Sequence, residues 1–530
     1  MPTFVLWQQK SHHPPQIRSM REKAVLIVTI FIAGLCSIIY ELLISTTSSY
    51  FLGDSIRQFS VTIGLYMAAM GVGSYLSRLF DQKLLWRFIE TEILLGFVGG
   101  ISVPLLYVAF IHTGFAGFNS IMIGLILLIG LLTGLEVPFL TQLMKEHYPL
   151  GVNLSNVLSL DYLGALIATL LFPFFLLPWF GVFVSSVVFG SINIFLAFIN
   201  LWHFGPHIPN VRRRVYWIAS GAVFFLFVCL LAGSNFLLTE WNDRLYKDRI
   251  IFVKTTPYQT LVLTEGGGDL RLYIDRVIQF SSVDEYRYHE TLVHPAMSLA
   301  PYRQQVLILG GGEGLAAREA LKYQDVEAIT IVDIDPEVFR IARETPQIRE
   351  LNGGSLDHPK VKLAPEDAFV FLQNNVQLFD LIIADLPDPS NDGLSRLYSS
   401  EFFKLIRSRL APNGVFVTQA TSPFHTRDAF WCIEASIRDG GFSHTLPYHA
   451  YVPSFGDWGF IAAANFPLDA RQASIDVPSK FLNPATLQKL FLFEPDLLPV
   501  DSLRPNSLDR PTLLEYYLEA WQRWSREELK

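Results

Sequence analysis

Cysteine is scarce in this chain, which contains three in 530 residues. Cys36 and Cys229 lie within apolar runs, and Cys432 stands alone in the more polar second half. A disulfide framework or a cysteine zinc site needs cysteines grouped at characteristic spacings. The sequence therefore supports neither of them, and we expect no metal site.

Charged residues are also few, at 17% of the chain, and no basic stripe marks a nucleic-acid surface. Hydrophobic residues make up 51% and the mean hydropathy is +0.32, which is too apolar for an ordinary soluble enzyme. The first 240 residues contain 12 Lys and Arg and 10 Asp and Glu, and the rest contain 29 and 39. We expect a membrane half followed by an acidic soluble half, which suits a cationic substrate.

The first half contains apolar segments near the length of about 20 residues that a helix needs to cross a bilayer. Residues 1–23 are polar and basic without a nearby cleavage site, so we interpret them as a cytoplasmic tail and not as a signal peptide. Residues 24–238 form a transmembrane module of about seven helices. The predicted spans are Ala24–Ser45, Phe59–Leu79, Ile93–Phe110, Ile121–Phe139, Leu160–Trp179, Val182–Phe204 and Val215–Leu238.

Basic residues flank alternate connections between these spans, which predicts that those connections are cytoplasmic. They are Arg18, Arg21 and Lys23, then Arg78, Lys83 and Arg87, then Lys145, and finally Arg212, Arg213 and Arg214. An odd number of crossings would place everything after Leu238 outside the cytoplasm.

Three acids, Glu41, Glu136 and Asp161, lie inside the apolar segments. A carboxylate at membrane depth is costly unless it is paired or faces a cavity, so these residues could line a polar path or a cation site. The alternative for Glu41 and Asp161 is simple solvation near helix ends.

The stretch Val306–Leu321, VLILGGGEGLAAREAL, predicts a buried strand, a tight glycine turn and a helix whose first amides face a ligand. A second apolar strand follows and ends at Asp333, where nucleotide-binding folds place an acid for ribose hydroxyls. The dinucleotide motif requires a third glycine where this chain has Leu315. NAD is therefore disfavoured, and an adenosyl ligand without a pyrophosphate fits better.

Short strand and helix patterns alternate from about residue 241 onward. Two β-rich runs about Gly266–Gly268 predict a hairpin, and a helix is expected from Asp284 to Leu299. Further strands are predicted at Ala328–Val332, Val361–Leu363, Leu381–Ala384 and Val415–Thr418, with helices between them. This pattern predicts a mostly parallel, doubly wound α/β sheet of the Rossmann-like, class I methyltransferase type, with ligands at the carboxyl ends of its strands.

Six motifs occur in the order and spacing of one enzyme family. They are YQTLVLTE from Tyr258, DRVIQFSSVDEYRYHETLVHP from Asp275, LILGGGEG from Leu307, VDID from Val332, EDA from Glu366 and ADLPDP from Ala384. In these motifs the chain resembles the polyamine aminopropyltransferases, the spermidine synthase family, and in its apolar half it resembles the bacterial branch with a multi-pass module.

The resemblance implies transfer of an aminopropyl group from decarboxylated S-adenosylmethionine, a co-substrate and not a cofactor, to an amine such as putrescine. It implies that Asp385 is the general base that removes the acceptor's proton and that Asp388 holds the amine. Two hydroxyl residues usually separate these aspartates, and Leu386 and Pro387 stand there instead. The alternative role of an aspartate before a proline is to cap a turn.

The resemblance implies further substrate-binding residues on both sides of the cavity. Gln259 and Gln279 match donor-site positions, whereas Tyr288, His289 and Gln419 match positions near the amine. Glu313 would bind the donor's ammonium, Asp333 its ribose, and Asp367 with the backbone of Ala368 its adenine. Asp367 could otherwise be only a helix N-cap. One departure is Phe455, where diamine-using members often have tyrosine.

The resemblance also bears on domains, partners and location. We expect a catalytic domain at residues 239–465 and a helical tail at 466–530, whose Tyr516, Tyr517, Trp521 and Trp524 suggest a docking segment. Family members commonly dimerise, so a homodimer is expected, with lipid as a further partner and no nucleic acid. Because the donor is made in the cytoplasm, we expect the catalytic domain there, with one apolar segment that does not cross.

Two other functions are compatible with the residues alone. One is methyl transfer from intact S-adenosylmethionine on the same fold, which the acids at Glu313, Asp385 and Asp388 disfavour. The other is a transporter or sensor that binds polyamine without turnover, which only Glu41, Glu136 and Asp161 support.

Overall fold

The computed structural model describes residues 20–52, 55–80, 83–146, 150–246, 248–499 and 503–527. The chain forms two compact units, Met1–Leu245 and Tyr246–Lys530. The predicted tail at residues 466–530 therefore belongs to the second unit, and the predicted cytoplasmic tail lies mostly outside the described residues.

The first unit is helical. Its helices are α1 (Met20–Leu52), α2 (Ser55–Leu76), α3 (Leu84–Leu143), α4 (Leu150–Leu171), α5 (Leu177–Phe204), α6 (Asn210–Ala232) and α7 (Ser234–Leu245). Among the described residues, six helical stretches are long and apolar enough to cross a membrane. They are Arg21–Leu52, Arg57–Phe80, Leu84–Thr113, Gly117–Leu143, Gly151–His207 and Asn210–Ala232.

The fifth stretch contains two of the seven predicted spans, because α4 and α5 are joined by a π-helical turn, Phe172–Leu176. A straight helix of its 57 residues would be about 86 Å long, far more than the roughly 30 Å of a bilayer core. Gly181 breaks it with non-helical angles, φ 68° and ψ 178°. The two spans predicted here lie on either side of that break.

Side-chain contacts give the direction of each pass through the helical unit. Thr29 contacts Asn200, and the Tyr40 hydroxyl donates to the carbonyl of Phe189, so α1 and α5 are antiparallel. Gly96 meets Ile194, whereas the Ser186 hydroxyl donates to the carbonyl of Gly100, so the first half of α3 is also antiparallel to α5.

Helix α6 runs parallel to the first half of α3, because Tyr216 contacts Glu90 while Phe227 meets Gly100. Helices α1 and α6 therefore point the same way, and the described chain enters and leaves this unit at opposite ends. This packing gives an odd number of passes through the unit, and the expectation that one apolar segment does not cross a membrane stays a prediction.

Two acids are sealed inside the helical unit. Glu136, which we expected to be costly there, is 2% exposed, and Glu92 is 0% exposed. The two carboxyls hydrogen-bond to each other, and neither Glu92 oxygen nor Oε1 of Glu136 has any other partner among the described residues. The burial of Glu92 was not predicted, because the expected span begins at Ile93, one residue later. Glu41 and Asp161 are partly buried and lie well inside α1 and α4, so the expected solvation near helix ends is not what the structure shows.

The second unit contains two sheets. Its strands are β1 (Arg249–Thr255), β2 (Thr260–Gly266), β3 (Asp269–Ile274), β4 (Val277–Ser281), β5 (Gln305–Gly310), β6 (Ala328–Asp333), β7 (Val361–Pro365), β8 (Phe379–Asp385), β9 (Leu410–Gln419), β10 (His444–Val452) and β11 (Gly456–Ala464). Strands β1 to β4 form one antiparallel sheet, which includes the predicted hairpin. The other sheet has the order β10-β11-β9-β8-β5-β6-β7.

Helices surround the larger sheet. They are α8 (Glu285–Leu299), α9 (Leu315–Ala320), α10 (Pro336–Glu344), α11 (Pro346–Leu351), α12 (Ala368–Asn374), α13 (Asp392–Ser395), α14 (Ser400–Arg409), α15 (Arg427–Asp439), α16 (Pro484–Lys489) and α17 (Thr512–Glu527). The central strands are parallel and apolar because both faces of the sheet are covered. This confirms the predicted α/β sheet, to which the unpredicted hairpin of β10 and β11 adds an antiparallel edge.

The order of strands brings acids together. Strand β5 lies between β6 and β8, so the glycine turn after β5 sits beside Asp333 at the end of β6 and Asp385 at the end of β8. Gly310 pairs with Asp385 and has φ 81°. A Cβ on Gly310 would lie 1.9 Å from the Asp385 carbonyl oxygen, so only glycine allows this approach.

Candidate active site

A cavity of about 600 Å³ opens at the carboxyl ends of the parallel strands. All of the residues expected to bind substrate or act in catalysis contribute to its wall. They are Gln259, Gln279, Tyr288, His289, Glu313, Asp333, Asp367, Ala368, Asp385, Asp388 and Gln419. Residues far apart in sequence are thus brought to one site, as the doubly wound topology requires.

Asp333 is held by the glycine turn and by its own loop. The amide of Gly312 donates to its Oδ2 at 3.2 Å, and the amide of Asp335 donates to Oδ1 at 3.0 Å. Burial and the charge of Glu313 raise the pKa of Asp333 to about 7, although both amides act to lower it. A carboxylate in this place can accept hydrogen bonds from vicinal hydroxyls.

Asp385 faces the same space from the end of β8. The hydroxyl of Tyr288 on α8 donates to its Oδ1 at 2.8 Å. Burial and then the charge of Glu313 raise the pKa of Asp385 to about 6, while His289 and Tyr288 oppose that rise. A pKa near 6 leaves the group ionised at neutral pH and still basic enough to accept a proton.

His289 stands between acids on both of its nitrogens. Its Nδ1 lies 2.9 Å from a carboxylate oxygen of Glu285, and its Nε2 lies 3.6 Å from Glu313 and 3.9 Å from Asp385. Burial alone would lower the pKa of His289, but hydrogen bonds to Glu285 and Glu313 raise it to about 10. His289 is therefore a cation at neutral pH.

The side chains of His289, Glu313 and Asp385 place ligand atoms within 4.8 Å of one another, a spacing that could hold a metal ion. A protonated imidazole has no free lone pair for a metal. The same arrangement also fits a structural ion pair, because Nδ1 of His289 lies 2.9 Å from a carboxylate oxygen of Glu285.

Asp388 and Gln419 organise the loop after β8. The Tyr517 hydroxyl donates to Oδ2 of Asp388 at 2.9 Å, and the Gln419 amide nitrogen lies 3.4 Å from Oδ1. The same nitrogen donates to the carbonyl of Leu386 at 2.7 Å. Burial raises the pKa of Asp388 to about 6, and the bonds from Tyr517 and Gln419 oppose that rise.

Known proteins match this chain along most of its length. A family model described as "Spermine/spermidine synthase domain" matches residues 285–467. A spermidine synthase structure from Thermotoga maritima is 24% identical and covers 46% of this chain and 85% of that chain, with a TM-score of 0.42. A polyamine aminopropyltransferase of Leptospira interrogans is 39% identical over 94% of this chain and 99% of its own. Polyamine aminopropyltransferase 2 of Ralstonia nicotianae is 40% identical over 94% and 99%.

The chain belongs to the polyamine aminopropyltransferase family. Because each of these two relatives matches 94% of the chain, the likeness extends to the apolar helices as well as to the sheet. In this aminopropyltransferase the residues expected to act on the donor and on the acceptor line one continuous cavity.

Asp367 of the aminopropyltransferase does cap a helix. Its Oδ1 accepts from the amides of Phe369 and Val370 at 2.9 and 3.1 Å, and its Oδ2 pairs with Arg396. Both of its oxygens are thus engaged, although the residue also lines the cavity beside Ala368. The carboxylate therefore orders the loop that an adenine ring would contact.

Several residues of the site were missed or misassigned from sequence. Glu285 accepts two hydrogen bonds from Arg318, at 2.8 and 2.9 Å. Its carboxylate is thereby fixed beside Nδ1 of His289 and orients that ring. Glu285 lies inside a recognised motif but carries no signal of its own. Tyr517 and Trp521, interpreted as docking residues, instead line the cavity of the aminopropyltransferase.

We expect Glu285→Gln to lower the free energy of unfolding of the second unit by about 3 kcal/mol. The Glu285 side chain is 1% exposed and pairs with both Arg318 and His289. Its neutralisation would leave Arg318 with Glu319 alone among the described acids and His289 with carboxylates at 3.6 and 3.9 Å. Denaturant unfolding of the purified full-length protein measures this change.

Glu344→Gln is the matched control, since Glu344 also pairs with an arginine but is 60% exposed. Its effect should stay below about 1 kcal/mol. Equal losses in the two variants would show that the buried network does not stabilise the site.

Proposed function

We propose that the enzyme transfers an aminopropyl group from decarboxylated S-adenosylmethionine to an amine such as putrescine. The products are spermidine or a related polyamine and methylthioadenosine. The observation that carries this proposal is the set of four carboxyls, Glu313, Asp333, Asp385 and Asp388, around one cavity. Such a cavity suits a ligand with two positive charges.

The reaction requires the protein to align the two substrates and to remove a proton from the acceptor amine. The donor's sulfonium is a good leaving group, so the enzyme must place a neutral amine nitrogen in line with the methylene carbon next to sulfur. The C–N bond forms as the C–S bond breaks, and the electron pair of that bond goes to sulfur. Asp385, held by Tyr288, accepts the proton that the acceptor's ammonium loses.

The other residues take the remaining parts of the substrates. Glu313 and His289 lie where the donor's aminopropyl end meets the acceptor, and Asp388 holds the amine with the help of Gln419. Asp333 binds the ribose hydroxyls, Gln259 and Gln279 line the donor side, and the Asp367–Ala368 loop contacts adenine. Each of these roles is supported by the residue's place in the cavity wall.

Methyl transfer from the intact donor fits the cavity less well. That donor keeps a carboxylate, and Glu313 would repel it. Burial and then the charge of Glu313 raise the pKa of both Asp333 and Asp385, so a further negative charge in this space would be disfavoured as well.

Incubation of the purified protein with each sulfonium donor and putrescine tests the proposal. We expect methylthioadenosine and spermidine from the decarboxylated donor and no methylated product from the intact one. Consumption of the intact donor alone would show a methyltransferase. Binding of polyamine without any turnover would show a sensor or transporter.

Replacement of the base tests the mechanism. We expect Asp385→Asn to lower kcat by about 10²- to 10⁴-fold, because the amide cannot accept the acceptor's proton. The Kd of methylthioadenosine, measured by calorimetry, should change less than about twofold, because the replaced carboxylate acts on the acceptor's proton. A twofold change in Kd corresponds to well under the roughly 1.4 kcal/mol of a tenfold change.

Two further measurements complete that test. Asp325→Asn removes a carboxylate that is 51% exposed in a surface ion pair, and it should leave kcat unchanged. In the unmutated enzyme, kcat/KM should fall as the pH drops below about 6, where Asp385 and Asp388 become protonated. Unaltered turnover in Asp385→Asn would remove this residue from the mechanism.

We propose that the apolar helices anchor the enzyme in the cell membrane and that its catalytic unit is cytoplasmic, where the donor is made. The basic connections and the odd number of passes favour the opposite side. A cytoplasmic catalytic unit therefore requires that one apolar segment is re-entrant or does not cross the membrane. A reporter fused after Lys530 should be active only in its cytoplasmic form, and activity only of an exported reporter would contradict the proposal.

A further inference from the structure

We propose that helix α17, Thr512–Glu527, forms the wall of the acceptor end of the cavity and that Tyr517 and Trp521 determine which amine is accepted. This inference rests on the proposed function, because it takes the space beside Asp388 to be the acceptor's place. The ligand class is a linear aliphatic amine whose far nitrogen stays protonated.

Tyr517 acts on the acceptor through Asp388. Its side chain is 7% exposed, and its hydroxyl donates to Oδ2 of Asp388 at 2.9 Å. This bond stabilises the ionised form of a carboxyl that burial would otherwise protonate. Tyr517 is therefore a positioning residue that keeps a negative charge available for an ammonium group.

Trp521 supplies an aromatic surface to the same space. Its ring stacks on His425 at 5.9 Å with an interplanar angle of 14°, and it meets the edge of Tyr517 at 6.2 Å. Phe455 and Trp458 contribute further aromatic faces to the cavity wall. Aromatic faces attract ammonium groups and also pack against methylene chains.

The position of α17 is held by contacts within the second unit. Leu513 is 0% exposed, and its amide donates to Oδ1 of Asn506 at 3.3 Å. The Asn506 amide nitrogen donates to the carbonyl of Ser395, and the Trp524 indole donates to that of His425. These contacts at both ends make α17 part of the site and not a loose docking segment.

The role of Tyr517 is tested by Tyr517→Phe in the full-length enzyme. We expect the KM for putrescine to rise at least about tenfold, as for loss of a hydrogen bond to a charged group, with the donor's KM nearly unchanged. The acid-side midpoint of the acceptor's KM profile should also move to higher pH, because Asp388 loses a bond that lowers its pKa.

Tyr516→Phe is the matched control, since Tyr516 is the neighbouring tyrosine of the same helix and packs against the core of the unit. It should leave both KM values and the pH profile unchanged. If Tyr517→Phe behaves like this control, or raises the two KM values equally, the positioning role is wrong.

The role of Trp521 is tested with a panel of diamines of increasing length and one triamine. Trp521 is 42% exposed, so Trp521→Ala should fold normally. We expect it to shift relative kcat/KM toward longer amines by at least about tenfold, which corresponds to about 1.4 kcal/mol, whereas Trp521→Phe keeps the original ranking.

The same amine panel distinguishes failure of the proposed function from failure of the selectivity role of α17. If the unmutated enzyme aminopropylates none of the amines, the proposed function is wrong. If it is active and Trp521→Ala ranks the amines as the unmutated enzyme does, only the selectivity role of α17 is wrong.

Discussion

Repulsion between carboxylates in one buried cavity is the interaction on which this site depends. Asp333 and Asp385 end two strands and Glu313 lies in the turn after the strand between them, and burial and then the charge of Glu313 raise the pKa of both aspartates. The buried cation of His289, itself held by Glu285 and Arg318, offsets part of the charge. The remaining negative charge is the basis for binding a doubly positive substrate. After transfer the nucleoside product has lost both charges, so the same field holds it less strongly.

The cavity is assembled from two kinds of parts. The parallel strands supply the acids, and their positions follow from the order in which the strands lie. Aromatic side chains come from elements outside the parallel core, namely Phe455 and Trp458 between and on the edge strands and Tyr517 and Trp521 on α17. The two sets of residues meet where the Tyr517 hydroxyl donates to Asp388.

The helical unit contains a second group of buried acids. Glu92 and Glu136 are buried among apolar side chains and hydrogen-bond to each other, while three of their four oxygens have no other partner among the described residues. Groups of this kind are costly in an apolar medium, which is why they rarely persist without a use. Together with Glu41 and Asp161 they are the observation that favours a transport or sensing role, and they lie outside the unit that carries the cavity.

The sequence by itself determined the elements that depend on local pattern. Apolar runs marked the membrane-type helices, the glycine cluster and Asp333 marked the nucleotide-type turn, and the motifs placed eleven residues that the fold brings to one cavity. Only the tertiary structure decided the long-range relations. These include the partnership of Tyr517 with Asp388, the burial of Glu92 and the ionic support of His289. Such contacts join residues through space, and an amphipathic helix with exposed aromatics has the same sequence pattern whether it docks on a partner or closes its own active site.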